Sequence, residues 1–486
     1  MQKRLLGLMV LIPSFMYALT DHISRSFMFT RPANHNLPML QSLWHSKIYE
    51  DHGPLGGSLQ IVPFYNDSTD HGSCNHKTAQ YFYPSCQTPV YVLGDNAEYT
   101  TTGTYIRAEW LGLPTDFVGN FSFDPKQKQY GCVFEYSQAL SELTDNEFLD
   151  HWLVGIRVPY EVVKNNLTFT QFAETTTMAD GVPDTICEAF NQDSWNYAKL
   201  APCEKKVTGV GNVRFQLTAN IYAKKGYEAI YYTFLALNSG DDSDPRYLFS
   251  PYIGNNKHVG YGNAVCFQLP ITRKSNQWPI RFFMNVEHQY LFARKQYRTF
   301  DLKDKPWSRY LLLYHANDTV GTPPTPGVNV LTQRVKVHPD SFVDFVTGFR
   351  LAHNGFEAEL AYNLWAHRGE RIEYIDDTVC SKCNNFVDIR EYGIAGTAAG
   401  YTASKSTIAA RAANDSTFTA LRYRDIDKYS GAAASATTHK VHAAIGYGTQ
   451  GEKFDGFCNF GAFFEYPQNN AALAQWGIWG KAGASF

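Results

Sequence analysis

Beyond its first twenty residues the sequence has no apolar run of the roughly 20 residues that a membrane-crossing helix requires. That excludes a helical anchor in the remainder of the chain and agrees with a mean hydropathy of −0.33. Charge is also scarce. Asp, Glu, Lys and Arg make up 18% of the residues and nearly cancel, leaving a formal net charge of −3. Without a basic face or run, a nucleic-acid partner is not expected. Enzyme signatures are missing too. No GxSxG, HExxH or P-loop occurs, and Gly209-Val-Gly211 and Gly260-Tyr-Gly262 stand outside any strand-to-helix turn. No catalytic residue, no cofactor and no enzymatic activity are expected.

Cysteine is limited to nine residues. In an oxidising compartment the natural local pairs are Cys74 with Cys86, Cys187 with Cys203, and Cys380 with Cys383. Cys132, Cys266 and Cys458 fall inside strand patterns and read as packed free thiols. Cys380-Ser-Lys-Cys383 lacks the second CxxC or histidine cluster that a metal centre needs, so no metal is expected. The triplets at Asn66, Asn166 and Asn317 match glycosylation sequons, which carry meaning only in a secretory pathway that glycosylates them.

What the chain does have is aromatic residues, 15% of the total with 31 Tyr and 33 Phe, and a persistent two-residue alternation. Its start, Lys3-Arg4 followed by an apolar Leu5–Leu19 and small residues near Ala18, reads as a secretory signal over residues 1–20. Residues 21–56 have no clear period and suit a periplasmic segment or an inward-lying plug. From residue 57 onward the alternation takes over.

In Val213 to Ala223 one phase holds Val213, Phe215, Leu217, Ala219, Ile221 and Ala223. The other holds Arg214, Gln216, Thr218, Asn220 and Tyr222. The same rule runs through Thr104–Leu111, Phe117–Asp124, Tyr130–Tyr136, Trp152–Val162, Met284–Phe292, Phe356–Ala366, Val441–Tyr447 and Phe460–Tyr466. It closes the chain in Trp476–Phe486, where Trp476, Ile478 and Phe486 oppose Lys481. Weaker candidates lie at 58–65, 229–237, 262–271, 343–353, 386–400 and 416–427.

Many of these runs last nine to eleven residues, the length of a tilted strand that crosses a bilayer, whereas soluble strands average about five or six. Short connections at 112–116, 224–226, 273–278, 353–355 and 449–455 alternate with long ones at 163–210, 239–259, 294–341 and 368–385. Short turns on one side and long loops on the other form the layout of a transmembrane barrel. The pattern therefore predicts an all-β fold, a single antiparallel transmembrane β-barrel over residues 57–486. About sixteen strands are expected, with twelve or fourteen as alternatives, and 400–415 has to serve as a long periplasmic turn.

The signal, the paired amphipathic runs and the terminal Phe486 together resemble bacterial outer-membrane β-barrel proteins of the porin-like type. The stretch Arg246–His258 is also similar to a segment of large uncharacterised barrels of that class. The resemblance implies a Gram-negative-type outer membrane, contact with its lipid, assembly by the barrel-insertion machinery and passive passage of small solutes, with a homo-oligomer left open. Ala482 and Ala484 stand where such termini more often carry further aromatics.

If the apolar phase faces lipid, the other faces the lumen. A basic residue outward at mid-membrane would cost about 2–4 kcal/mol, which accounts for the phase of the charges. The pore-lining candidates are Arg107, Glu109, Arg157, Glu161, Arg214, Gln216, Asn220, Asn285, Glu287, Asp344, Arg350, Glu357, Glu359, Lys440 and Lys481. Signs balance among them, so weak ion selectivity is expected of an open lumen. Residues 294–341, and after them 163–210, are the candidate constriction loops. The functional expectation is a porin-like diffusion channel for small hydrophilic solutes. A plugged barrel for hydrophobic substrates, or a surface adhesin or structural protein, are the alternatives.

Overall fold

The computed structural model describes residues 24–43, 55–69, 89–94, 105–143, 147–149, 151–173, 183, 185–201, 203–224, 226–272, 279–318, 322–374, 387–394, 418–449, 451 and 454–486. Twelve antiparallel strands close into one barrel: β1 (Gly57–Ser68), β2 (Val118–Ala139), β3 (Trp152–Ala173), β4 (Asn212–Lys224), β5 (Tyr227–Asn238), β6 (Gly260–Pro270), β7 (Ile280–Leu291), β8 (Asp340–His353), β9 (Phe356–His367), β10 (Ala436–Thr449), β11 (Asp455–Pro467) and β12 (Gln475–Ser485). Each pairs with its neighbours in the sequence. The ring is shut by β1 against β12, with Ser58 opposite Ser485 and Ser68 opposite Gln475. Closure matters because an open sheet edge in hydrocarbon would strand backbone N–H and C=O groups.

Twelve strands, the smallest of the counts considered, replace sixteen, and each difference has a physical reason. Phe117–Asp124 and Tyr130–Tyr136 are two halves of the single 22-residue β2. Pro125 does not break it, because the pairing to β1 ends at Lys128 and Pro125 has a ladder partner on the β3 side only. Thr104–Leu111 is no wall strand: Tyr105–Arg107 is a short strand and Ala108–Leu111 a 3₁₀ turn, stopped by Gly112 at φ 72°. The connection at 112–116 therefore lies among the outer loops. The regions near 386–400 and 416–427 supply Tyr392–Ile394, Thr419–Ala420 and Ile426–Asp427, all outside the barrel. Residues 273–278 and 400–415 lie outside the described set.

The lipid face follows the sequence pattern. Phe215, Leu217, Leu235, Leu269, Phe349, Leu360, Val441, Ile445, Phe460, Phe464 and Ile478 are exposed, each on the phase opposite the buried charges. At the periplasmic end β8 and β9 join through Asn354-Gly355. Both residues have positive φ, 49° and 84°, the tight hairpin turn that L side chains resist and glycine accepts.

At the opposite end the long connections pack into a cap with a core of its own. Phe121, Phe123 and Leu167, on parts of β2 and β3 that extend past the barrel, join Val92, Trp110, Phe190, Trp195, Trp307, Tyr310, Leu331 and Ile426. Trp195 stacks on Tyr310 with ring centres 4.9 Å apart, and Phe190 meets Tyr310 edge-on at 5.0 Å. Of residues 294–341, expected as a constriction loop, the described residues 294–318 and 322–339 belong to this cap, and 340–341 begin β8. Arg294–Thr299 and Thr332–His338 form a ladder, and Gly327–Leu331 is a short helix buried beneath it. Within 163–210, Lys205–Val210 extends the sheet beside β3.

Candidate functional site

The lumen is occupied by the chain's own segment Ser24–Leu43. Its ring-poor, unperiodic sequence forms only a 3₁₀ turn at Ala33–His35 and one short helix at Leu37–Gln41, whose Pro38 sits in the first turn where no N–H partner is needed. Everything else about its path is set by side-chain contacts with the wall and the cap.

At the cap end, Ser24 bonds the Asp301 carboxylate, and Arg309 holds Asp301 at 2.6 Å. Arg25 donates to the carbonyls of Tyr429 and Ala432 at 2.7 and 3.0 Å. Phe27 and Phe29 pack with Tyr252, Leu291, Phe342 and Trp365, and Arg298 stands 3.3 Å over the Phe27 ring. Part of Arg246–His258 folds over this end, where Thr30 N–H donates to Tyr252 Oη at 2.7 Å. Further down, Leu37 packs on Val346 and Ala361. Gln41 bonds Tyr232 and Asn285. Near the periplasmic end Lys481 donates to the carbonyls of Leu40 and Ser42 at 2.9 and 2.8 Å, and Leu43 joins Trp479, Val62 and Val133.

The strongest attachment is Arg31. Its guanidinium binds Glu465 of β11 and Asp344 of β8, both at 2.8 Å, and donates to Asn363 at 3.0 Å and to the His35 carbonyl at 2.9 Å. Lys440 adds a second cation, 3.0 Å from Glu465 and 2.9 Å from Asn36 Oδ1. Two cations and two carboxylates are thus buried together, joining the plug to one arc of the wall formed by the consecutive strands β8 to β11. Such a buried cluster is tolerated because each charge is paired and hydrogen-bonded.

The remaining sequence candidates fall into similar pairs. Arg157 meets Glu135 at 2.8 Å, Arg214 meets Glu287 at 2.8 Å, and Arg350 meets Glu359 at 2.9 Å. Asn285 bonds the plug, Gln216 bonds Thr218, and Asn220 and Glu357 are half-buried toward the periplasmic end. Glu161 is 1% exposed with no cationic partner; its oxygens lie toward the amides of Ala33 and Gly254 without a normal hydrogen bond to either. Arg107 and Glu109 are displaced from the expected wall: they sit in the cap, buried and paired at 3.2 Å.

The expected Cys187–Cys203 bridge is not formed. Both thiols are free, Cys187 on a helix near β3 and Cys203 exposed in a loop; Cys132, Cys266 and Cys458 are free too, but only Cys266 is packed, Cys132 being half-buried and Cys458 exposed on the outward phase of β11. Cys74, Cys86, Cys380 and Cys383 lie outside the described residues. Pattern reading passed over Arg31, Asn363, Glu465 and His442, whose Nε2 lies 2.9 Å from Glu359, as site residues. Alternation already put Glu465 and His442 on the inward phase, but Arg31 lies in a segment with no period and left no signal. Above the plug, His258 is buried with Nδ1 donating to the Phe292 carbonyl at 2.8 Å and Nε2 accepting from Gln296 at 3.1 Å. Burial pushes its pKa down to about 4.

No family model matches the chain, and no curated protein matches it. Among solved structures it is similar to an outer-membrane channel from Pseudomonas putida F1, with 7% identity over 90% of this chain and 98% of that one and a TM-score of 0.41. The β domain of the Bordetella autotransporter BrkA matches with 7% identity, 90% and 100% coverage and a TM-score of 0.30. A Pseudomonas aeruginosa FadL homologue matches with 7% identity, 97% and 98% coverage and a TM-score of 0.27. The single closed antiparallel β-barrel anticipated from the sequence is the architecture this chain has. Its closure and its plug stand on the pairings described above rather than on these likenesses.

Proposed function

We propose that the protein is a bacterial outer-membrane channel held shut by its own N-terminal segment. The observation that carries this is the Arg31, Lys440, Asp344 and Glu465 cluster, which fixes the segment inside the lumen to the neighbouring strands β8, β10 and β11. An open, always conducting pore is less well supported than the plugged form, because the side chains that would line it are engaged with one another and with residues 24–43. The wall left after the plug moves would be charged and polar, which favours small hydrophilic solutes over hydrophobic ones.

Single-channel recording in planar bilayers tests this reading. The intact protein should be nearly silent, and a variant whose plug attachments are removed should conduct. Steady porin-like current from the intact protein would refute the plug, and silence from a correctly folded, plug-released barrel would refute the channel. A second reading, a surface-binding protein, draws on the cap, which has a hydrophobic core of its own. In that case released barrels would stay silent while the cap retains a ligand.

A further inference from the structure

A cleft of about 570 Å³ opens on the cap, with none of residues 24–43 in its lining, within the range of roughly 300–1,000 Å³ usual for ligand sites. One wall is the strand Arg371–Tyr374. It is the last strand of a three-stranded sheet, paired through Val335–His338 on one side and without a strand partner on the other among the described residues. In an antiparallel edge strand alternate residues turn N–H and C=O outward, so this wall offers backbone donors and acceptors to the cleft. Ile372 and Ile426, both buried, contribute apolar lining.

The facing segment, residues 423–429, brings Tyr423, Arg424, Lys428 and Tyr429, and Lys303 joins it. The carboxylates at the cleft are already engaged. Glu370 holds Arg298 at 3.1 Å, Glu373 holds His338 at 3.1 Å and Lys336 at 3.2 Å, and Asp427 accepts from Tyr429 N–H at 2.9 Å. Lys303 and Lys428 are exposed and have no carboxylate within ion-pair distance among the described residues. The Lys428 ammonium lies 4.4 Å from the Tyr374 ring centre. Arg424 has only its neighbour Asp425, at 3.8 Å.

We propose that this cleft binds an extended, acidic peptide segment of a partner protein by strand addition to the Arg371–Tyr374 edge. The peptide backbone would continue the sheet, one phase of side chains would meet the isoleucines, and acidic side chains would meet Lys303, Arg424 and Lys428. Backbone pairing favours a peptide over an acidic glycan, which would use the cations and tyrosines but has no ladder to offer. The proposal is independent of whether the lumen conducts.

The test uses the full-length protein in detergent and a fluorescent acetyl-Glu-Val-Glu-Val-Glu-amide, with binding read by anisotropy. Binding is expected to weaken with salt, to fall at least about tenfold in the K303E/K428E double variant, and to be lost when alternate peptide amides are N-methylated. The double variant changes two exposed residues, so heat-modifiable gel migration should show the barrel intact. Equal binding of the N-methylated peptide, unchanged binding by the double variant, or binding of a sulfated tetrasaccharide but not of the peptide would each overturn the proposal.

Discussion

Replacing Arg31 by Met should open the channel. The side chain keeps much of its length and apolar stem but loses every donor. Glu465 would retain Lys440 at 3.0 Å, Thr438 and Gln475, so it stays partnered. Asp344 would retain only Asn363 and become the orphan of the cluster. Removing one member of a buried ion pair costs roughly 3–5 kcal/mol, and two charge-assisted hydrogen bonds at about 1.5–3 kcal/mol each give the same range. Applied to docking of the plug, that is a shift of about two to four decades in the closed-to-open ratio. The assay is single-channel current, paired with reaction of a cysteine introduced at Leu37, in a background whose native cysteines are replaced by serine, with a water-soluble maleimide. R31M should show frequent openings and labelling where the intact protein shows few. R31M/D344N, which removes the orphaned charge, should recover at least about 1 kcal/mol of the loss, a coupling that a double-mutant cycle isolates. An R31M protein as silent and as unreactive as the parent would refute the idea that this cluster holds the plug.

Other outcomes follow from the same contacts. Lys481→Ala removes the donor to the Leu40 and Ser42 carbonyls and should raise open probability less than R31M does, measured in the same bilayers. Phe486→Asp should impair membrane assembly, seen as loss of heat-modifiable migration, because the Phe486 ring lies against Gly57 where β1 and β12 close the barrel. Glu161→Gln replaces a buried carboxylate that lacks a cation and should raise the urea midpoint, by about 1–3 kcal/mol in stability; a fall would show that the charge is used. His258 titrates at about 4 when folded and near 6.5 when free, so the unfolded cap takes up the proton first. Cap stability should fall as pH drops through 6.5 and level off below about 4, a loss of about 3 kcal/mol, and His258→Gln should flatten that dependence in proteolysis of the cap.

Much of the wall was legible from residues alone. In a strand, alternate side chains face opposite ways, so lipid on one side and a polar interior on the other write themselves into the chain at period two. Phe215 against Arg214 and Ile478 against Lys481 needed nothing more. Strand count was harder, because cap strands use the same alternation: Tyr105–Arg107 and the outer half of β2 turn apolar residues toward a protein core instead of lipid, and no local signal separates the two. The ion pairs were beyond reach, since inward phase says that Arg214 and Glu287 share the lumen but not that 73 positions of chain fold to place them 2.8 Å apart. Least visible was the plug. Ser24–Leu43 has no period because it forms no repeating structure, and its place is dictated by Asp344, Glu465, Lys440 and Lys481, residues hundreds of positions away. The sequence by itself determined a barrel with a charged interior, as alternation is a local property. Only the tertiary structure decided that the interior is filled, because that depends on which distant charges meet.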